Sequence, residues 1–273
     1  MAISSAHPGQ LSVAAATTGN RIRSIAVLVA AVAQVASAPL TPLVLGPGAE
    51  TGPISDSLRS AATPAGYAFS IWGLIYLACL VLAAYQLPAR RITEPANRAS
   101  GWWLVLGFAS SAIWIPVFGV RMIWLSQIII VTLAVALAVA LSRLTRLGPA
   151  ATQGERWCLR IPIGIYLGWA VCATFAGFGL TARSFGLPAD GPSQTFVAMA
   201  LVVLATVACV VIVLRLQALA GFAFTSGWAL TAIAIGTYEP AVRIVALVGL
   251  ASVIGVLVVR TAQSTRKDVI LLG

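Results

Sequence analysis

Pro64-Ala65-Gly66-Tyr67-Ala68-Phe69-Ser70-Ile71-Trp72-Gly73-Leu74-Ile75-Tyr76 opens an uncharged run that continues to Leu87. Pro64 and Gly66 stand at its start, where helix-disfavouring residues punctuate and do not interrupt. At about 1.5 Å per residue the run can cross a hydrocarbon core of about 30 Å. Phe69, Trp72 and Tyr76 recur at i, i+3 and i+7, which is one face of a helix. The stretch therefore reads as a membrane span with an aromatic side.

The same test applied outward along the 273 residues finds eight spans, at 25–45, 64–87, 101–120, 122–142, 160–182, 194–216, 218–236 and 241–262. The longest connection, Gly46 to Thr63, has 18 residues, so no room remains for a soluble domain. The stretch from Gly101 to Ser142 is twice what a bilayer accepts, and Gly119 with Arg121 gives it a place to turn. Composition agrees: 60% of residues are hydrophobic and 9% charged, with mean hydropathy +0.98, against about a quarter charged in soluble domains. Water-soluble enzyme classes are excluded. The fold class is an all-α integral membrane protein with eight transmembrane helices.

The net charge of +10 is a topology signal. Lys and Arg are retained on the cytoplasmic face during insertion. The two tails and the second, fourth and sixth connections carry thirteen of them, whereas only Arg59, Arg121, Arg183 and Arg243 fall on the other side. Both termini are thus expected in the cytoplasm, with the protein in the cell membrane and attraction to anionic lipid as a by-product. The basic residues form no stripe, which argues against nucleic acid. Arg21 and Arg23, the run from Ile25 and the tripeptide Ala36-Ser37-Ala38 also resemble a signal peptide with its cleavage site. Pro39 directly after the cut speaks against that alternative.

His7 is the single histidine and lies in a polar tail, residues 1–24, expected to be disordered, so neither a metal site nor a histidine relay is expected. Cys79, Cys158, Cys172 and Cys209 show no C-x-x-C spacing and read as packing residues. None of the seven acids falls inside an assigned span. Because intramembrane carboxylates usually carry ion coupling, this weakens the case for a pump.

What is unusual is aromatic. Trp102, Trp103, Trp124 and Trp157 sit near span ends, as interfacial anchors do, while Trp72, Trp114 and Trp169 lie deeper. In the third span Trp103, Gly107, Ser110 and Trp114 share a face with Ser111 at its margin, and in the fifth Tyr166, Trp169 and Ala173 do. By helical rise, Trp114, Trp72, Tyr76 and Trp169 lie roughly 9, 12, 18 and 20 Å below the outer surface. Three helices so bring aromatics to overlapping depth beneath the 46–63 loop. Either the rings pack the bundle core, or they line a covered pocket for a flat apolar ligand. A separate row, Gly164, Gly168, Cys172 and Ala176, reads as a close helix contact.

The opening segment, with its Pro-Gly start and the Trp72/Tyr76 pair, resembles the signature of the TspO/MBR family, the tryptophan-rich sensory proteins related to the peripheral benzodiazepine receptor. Trp114-Ile115-Pro116-Val117-Phe118 is similar to the family's Trp-Ser-Pro-x-Phe, and Pro162 to Trp169 with Ala173 to its fifth-helix pattern. The resemblance implies a five-helix bundle over 25–182 with three additional helices over 183–262, and a tail from 263 to 273. It further implies a pocket opening toward the 46–63 loop that binds porphyrins, sterols and synthetic aromatic ligands. Tyr67 stands where short members carry Trp, and Ser111 and Gly177 are nearest to where they carry Asn.

Two functions follow. One is a sensor or carrier binding a porphyrin, tetrapyrrole or sterol-like molecule through Tyr67, Phe69, Trp72, Tyr76, Ser111, Trp114, Tyr166 and Trp169. The alternative is a small secondary transporter of an apolar or weakly polar solute. Ala220-Gly221-Phe222-Ala223-Phe224-Thr225 echoes Ala65-Gly66-Tyr67-Ala68-Phe69-Ser70 in an oppositely directed span, as inverted repeats would. A sterol-type pattern also runs through Leu82, Tyr85 and Arg90. Oxidative porphyrin degradation is permitted by the resemblance alone and required by nothing in the sequence, and the residues themselves point to no enzyme. No resident cofactor is expected. The partners expected are membrane lipid, a small hydrophobic ligand and a second copy of the chain in a homodimer.

Overall fold

The computed structural model describes residues 17–273, so His7 and most of the expected tail lie outside the described residues. Among the described residues eight helices are long and apolar enough to span a membrane. They are α1 (Thr18–Leu45), α2 (Gly66–Gln86), α3 (Pro95–Gly119), α4 (Ile123–Arg146), α5 (Gln153–Ser184), α6 (Pro192–Arg215), α7 (Leu219–Gly236) and α8 (Pro240–Gln263).

Local chemistry sets most ends. Pro95, Pro192 and Pro240 occupy the first turns of α3, α6 and α8, where the missing N–H costs nothing. Thr17 caps α1 by accepting from Asn20 N at 3.3 Å, and Thr152 caps α5 by accepting from Glu155 N at 3.1 Å. The two tight joints, α3–α4 and α6–α7, each place a non-glycine residue at positive φ, Arg121 at 61° and Ala218 at 59°. Helix α1 runs unbroken through Ala36-Ser37-Ala38, Pro39 and Pro42.

Helix α5 departs most from expectation. It starts at Gln153 and passes through a π-helical turn, Arg156–Arg160, before regular helix resumes at Ile161. Glu155 thus belongs to the same continuous helix, ahead of the assigned 160–182 span, and is buried. The helix continues past this charge because Arg160 neutralises it, with Nε and Nη2 at 2.8 and 2.7 Å from the same carboxylate oxygen. Helix α1 likewise begins earlier, at Thr18, and the 46–63 connection contains a short helix, Thr51–Ser57.

Helix α5 is the hub and is enclosed on nearly every side, whereas α6 and α8 leave most of their surface to lipid. The small-residue row on α5 meets α7. A Cβ built on Gly221 would stand 2.7 Å from Ile161 O, and one on Gly164 would stand 3.1 Å from Ala218 O. These helices therefore touch backbone to backbone, and α7 belongs to the centre of the bundle.

The arginines divide between the two ends of the bundle as the alternating count requires. At one end Arg59 donates to Gly236 O at 2.7 Å, Arg121 to Ser57 Oγ at 2.9 Å and Arg243 to Ala234 O at 3.1 Å. At the other, Arg23 donates to Ile92 O at 2.6 Å, Arg156 pairs with Asp268 at 3.0 Å and Arg260 donates to Leu216 O at 2.5 Å. Several of these close the unpaired carbonyls at helix C-termini.

Candidate functional site

Trp72 organises the site. Its ring lies on the first regular turns of α2 and touches aromatics from two other helices. It stacks on Trp114 of α3 at 6.1 Å between centroids, and meets Trp169 and Tyr166 of α5 edge-on at 6.1 and 5.9 Å. Phe118, one turn beyond Trp114, stacks on it at 4.9 Å, and Phe69 meets Trp169 edge-on at 6.1 Å. Offset and edge contacts at these distances satisfy the ring quadrupoles.

A cleft opens beside this cluster at the end of the bundle that holds Arg59 and Arg121. Its envelope encloses about 660 Å³ of empty space, part of it open to the outside, and about 60 Å³ admits the centre of a water molecule. It is therefore a narrow crevice. Phe69, Trp72, Trp114 and Trp169 line it, with Thr51, Ser55 and Pro64 above and Ala173, Ala176 and Gly177 leaving room on α5.

Polar groups are few and placed. Gln127 of α4 donates from Nε2 to Thr174 O at 3.0 Å and lies across Gly177, where a Cβ would collide with its carbonyl oxygen. Ser126 Oγ donates to Ile123 O at 2.7 Å. The indole N–H of Trp169 is buried and has no acceptor among the described residues. In a membrane interior such a donor is costly unless a ligand or water completes it.

Four of the eight sequence-predicted residues, Phe69, Trp72, Trp114 and Trp169, are thus brought to one cleft. Tyr76 reaches it only by packing on Trp72 at 5.4 Å. Tyr166 and Ser111 are fully buried behind the aromatic wall. The Tyr166 hydroxyl donates to Gln34 Oε1 at 3.2 Å, while Ser111 Oγ has no partner among the described residues. Tyr67 is largely exposed and meets Trp228 edge-on at 5.3 Å, away from the cleft.

Sequence reasoning missed Ser126 and Gln127 of α4, Ala229 and Ile233 of α7, and the loop residues Thr51 and Ser55. Gln127 carried a usable signal, because an amide inside an apolar span needs a partner. Ala229 and Ile233 carried none, being apolar residues in an apolar helix.

Other motifs resolve differently. Leu82 of the sterol-type pattern is buried inside the bundle, out of reach of a surface sterol. The two echoing hexapeptides differ in conformation, since Gly66–Ser70 forms a 3-10 turn whereas Leu219–Gly236 is regular α-helix. Cys172 and Cys209 are unbonded, with their sulfurs 4.0 Å apart, and Cys79 is buried alone. Glu155 is neutralised by Arg160 and precedes Trp169 by fourteen residues, so by helical rise it lies roughly 20 Å below the cleft.

Comparison with known proteins gives no match among curated proteins and none among solved structures. The family model described as TSPO-like protein matches residues 24–259, a range that runs through all eight spanning helices and includes both α7 and the aromatic cluster. A multi-pass helical bundle whose Trp72, Trp114 and Trp169 meet beside a cleft, carrying that match over most of its length, belongs to the TSPO-like protein family.

Proposed function

We propose that this chain binds a flat, largely apolar small molecule in the Trp72 cleft, as a membrane sensor or carrier, and does not transform it. The supporting observation is Trp72 itself, which presents a stacked and an edge-on aromatic neighbour beside a crevice that contains an unpaired indole N–H. Tetrapyrroles and sterol-like molecules are the classes that family membership suggests. Typical ligand pockets enclose about 300–1,000 Å³. The enclosed space, about 60 Å³, is well below that range, so a ligand must part the rings, which favours a thin ring system over a bulky one. A planar ligand sliding between Trp72 and Trp114 replaces one stacking contact, worth roughly 0.5–1.5 kcal/mol, with two. The Arg and Lys count supports cytoplasmic termini, which puts the cleft in the outer half of the cell membrane.

Titration of the purified protein with protoporphyrin, followed by quenching of Trp fluorescence, tests this. Quenching should saturate, and Trp72→Ala should weaken the affinity at least tenfold while Trp72→Phe retains most of it. Unchanged affinity in Trp72→Ala would remove the site.

A further inference from the structure

We propose that Trp228 of α7 is the positioning residue of the cleft, holding through its indole N–H the turn that presents Phe69 to the ligand. This rests on the binding role proposed above.

The turn is Gly66–Ser70, the 3-10 start of α2. Neither Ala65 nor Ser70 supplies a side-chain cap, and hydrogen-bond geometry in a 3-10 turn is poorer than in an α-helix. Its stability has to come from outside the segment. Helix α7 supplies it three times over. Ala65 N donates to Ala232 O at 2.9 Å, and Arg59 reaches Gly236 O at 2.7 Å. Trp228 Nε1 donates to Ala68 O at 3.1 Å while the same indole receives Tyr67 at an interplanar angle of 89°. The approach depends on Gly236, where a Cβ would come within 2.5 Å of Ala65 N.

Of these three contacts only the one from Trp228 reaches into the turn, at the carbonyl directly before Phe69. Ala68 O also accepts the turn's own bond from Ile71 N, and because Ala68 is completely buried the lone pair that Trp228 occupies has no ready replacement partner from water. With the carbonyl fixed, the next residue, Phe69, is aimed at Trp169 and the cleft. Ala229, adjacent to Trp228, and Ile233 one turn further line the same cleft. Two adjacent sides of α7 therefore serve the site, one walling it and the other aiming a side chain of α2 into it. The anchoring donor was invisible at the level of span depth, because Trp228 belonged neither to the interfacial Trp set nor to the deep one.

The test is Trp228→Phe in the full chain, which keeps one ring against Tyr67 and removes the donor together with the second ring of the indole. Hydrogen exchange over residues 65–70 should accelerate, and the dissociation constant for protoporphyrin should rise about three- to tenfold, the loss expected for one hydrogen bond. In a Phe69→Ala background the same substitution should change affinity less than twofold, because the residue it aims is gone. Faster exchange with unchanged affinity, or a full penalty in the Phe69→Ala background, overturns the positioning role. Unchanged exchange with intact binding overturns the assignment to Trp228 alone. Failure of protoporphyrin to quench the unmutated chain overturns the binding role, and the ligand half of this proposal with it.

Discussion

Gly221→Ala pits helix propensity against packing, and the structure predicts which wins. In an isolated helix the change is favourable by about 0.8–1 kcal/mol, since Ala loses less backbone entropy than Gly. In this bundle the new Cβ would lie 2.7 Å from Ile161 O and 2.9 Å from both Ile165 N and Ile165 Cγ1. Two of these three atoms belong to the α5 backbone and cannot rotate away. Ordinary contact begins near 3.4 Å, so α5 and α7 must part by roughly 0.7 Å or α7 must tilt. Overpacking of that kind costs about 1–3 kcal/mol. Net destabilisation of up to about 2 kcal/mol follows, which for a chain near this size is a midpoint loss of up to several degrees. Gly255→Ala is the control, because a Cβ there meets nothing within 4 Å and only propensity acts. Thermal or SDS-induced unfolding in detergent, read by circular dichroism, should show Gly221→Ala below the parent and Gly255→Ala at or above it. A Gly221→Ala variant as stable as Gly255→Ala would refute a backbone-to-backbone α5–α7 contact.

Two further outcomes are expected. Glu155→Gln leaves the buried Arg160 guanidinium without a counter-charge and should cost about 3–5 kcal/mol of stability. Adding Arg160→Met should recover most of it in the same unfolding assay, and failure to recover would mean that the pair does more than neutralise itself. Cys158 is partly exposed near the start of α5, whereas Cys79, Cys172 and Cys209 are buried. A membrane-impermeant maleimide should therefore label Cys158 in inverted vesicles and not in intact cells. Labelling from outside would reverse the orientation of the whole bundle.

Span number and the division of basic residues between the two ends were legible because each rests on a local rule. Crossing a hydrocarbon layer demands about twenty apolar residues in a row, and retention of Arg and Lys depends only on which connection carries them. The aromatic faces were legible as faces, since Phe69, Trp72 and Tyr76 repeat at helical spacing. Where such a face points was not. Tyr166 shares its helix side with Trp169 yet turns behind the wall to Gln34, and Tyr67, two residues from Phe69, faces Trp228 outside the cleft. Neighbouring residues on one turn diverge because the rings they meet come from other helices.

The amino-acid sequence alone determined eight crossings, their alternation, the family signature around Trp72 and the scarcity of buried charge. Tertiary structure alone decided that α7 packs at the centre against α5, that it walls the cleft through Ala229 and Ile233, and that Glu155 is buried against Arg160 at the start of α5. The division has a physical cause. Insertion into a bilayer reads each segment's own hydropathy and charge, whereas the order in which apolar helices pack follows from small-residue contacts and single hydrogen bonds between segments far apart in the chain.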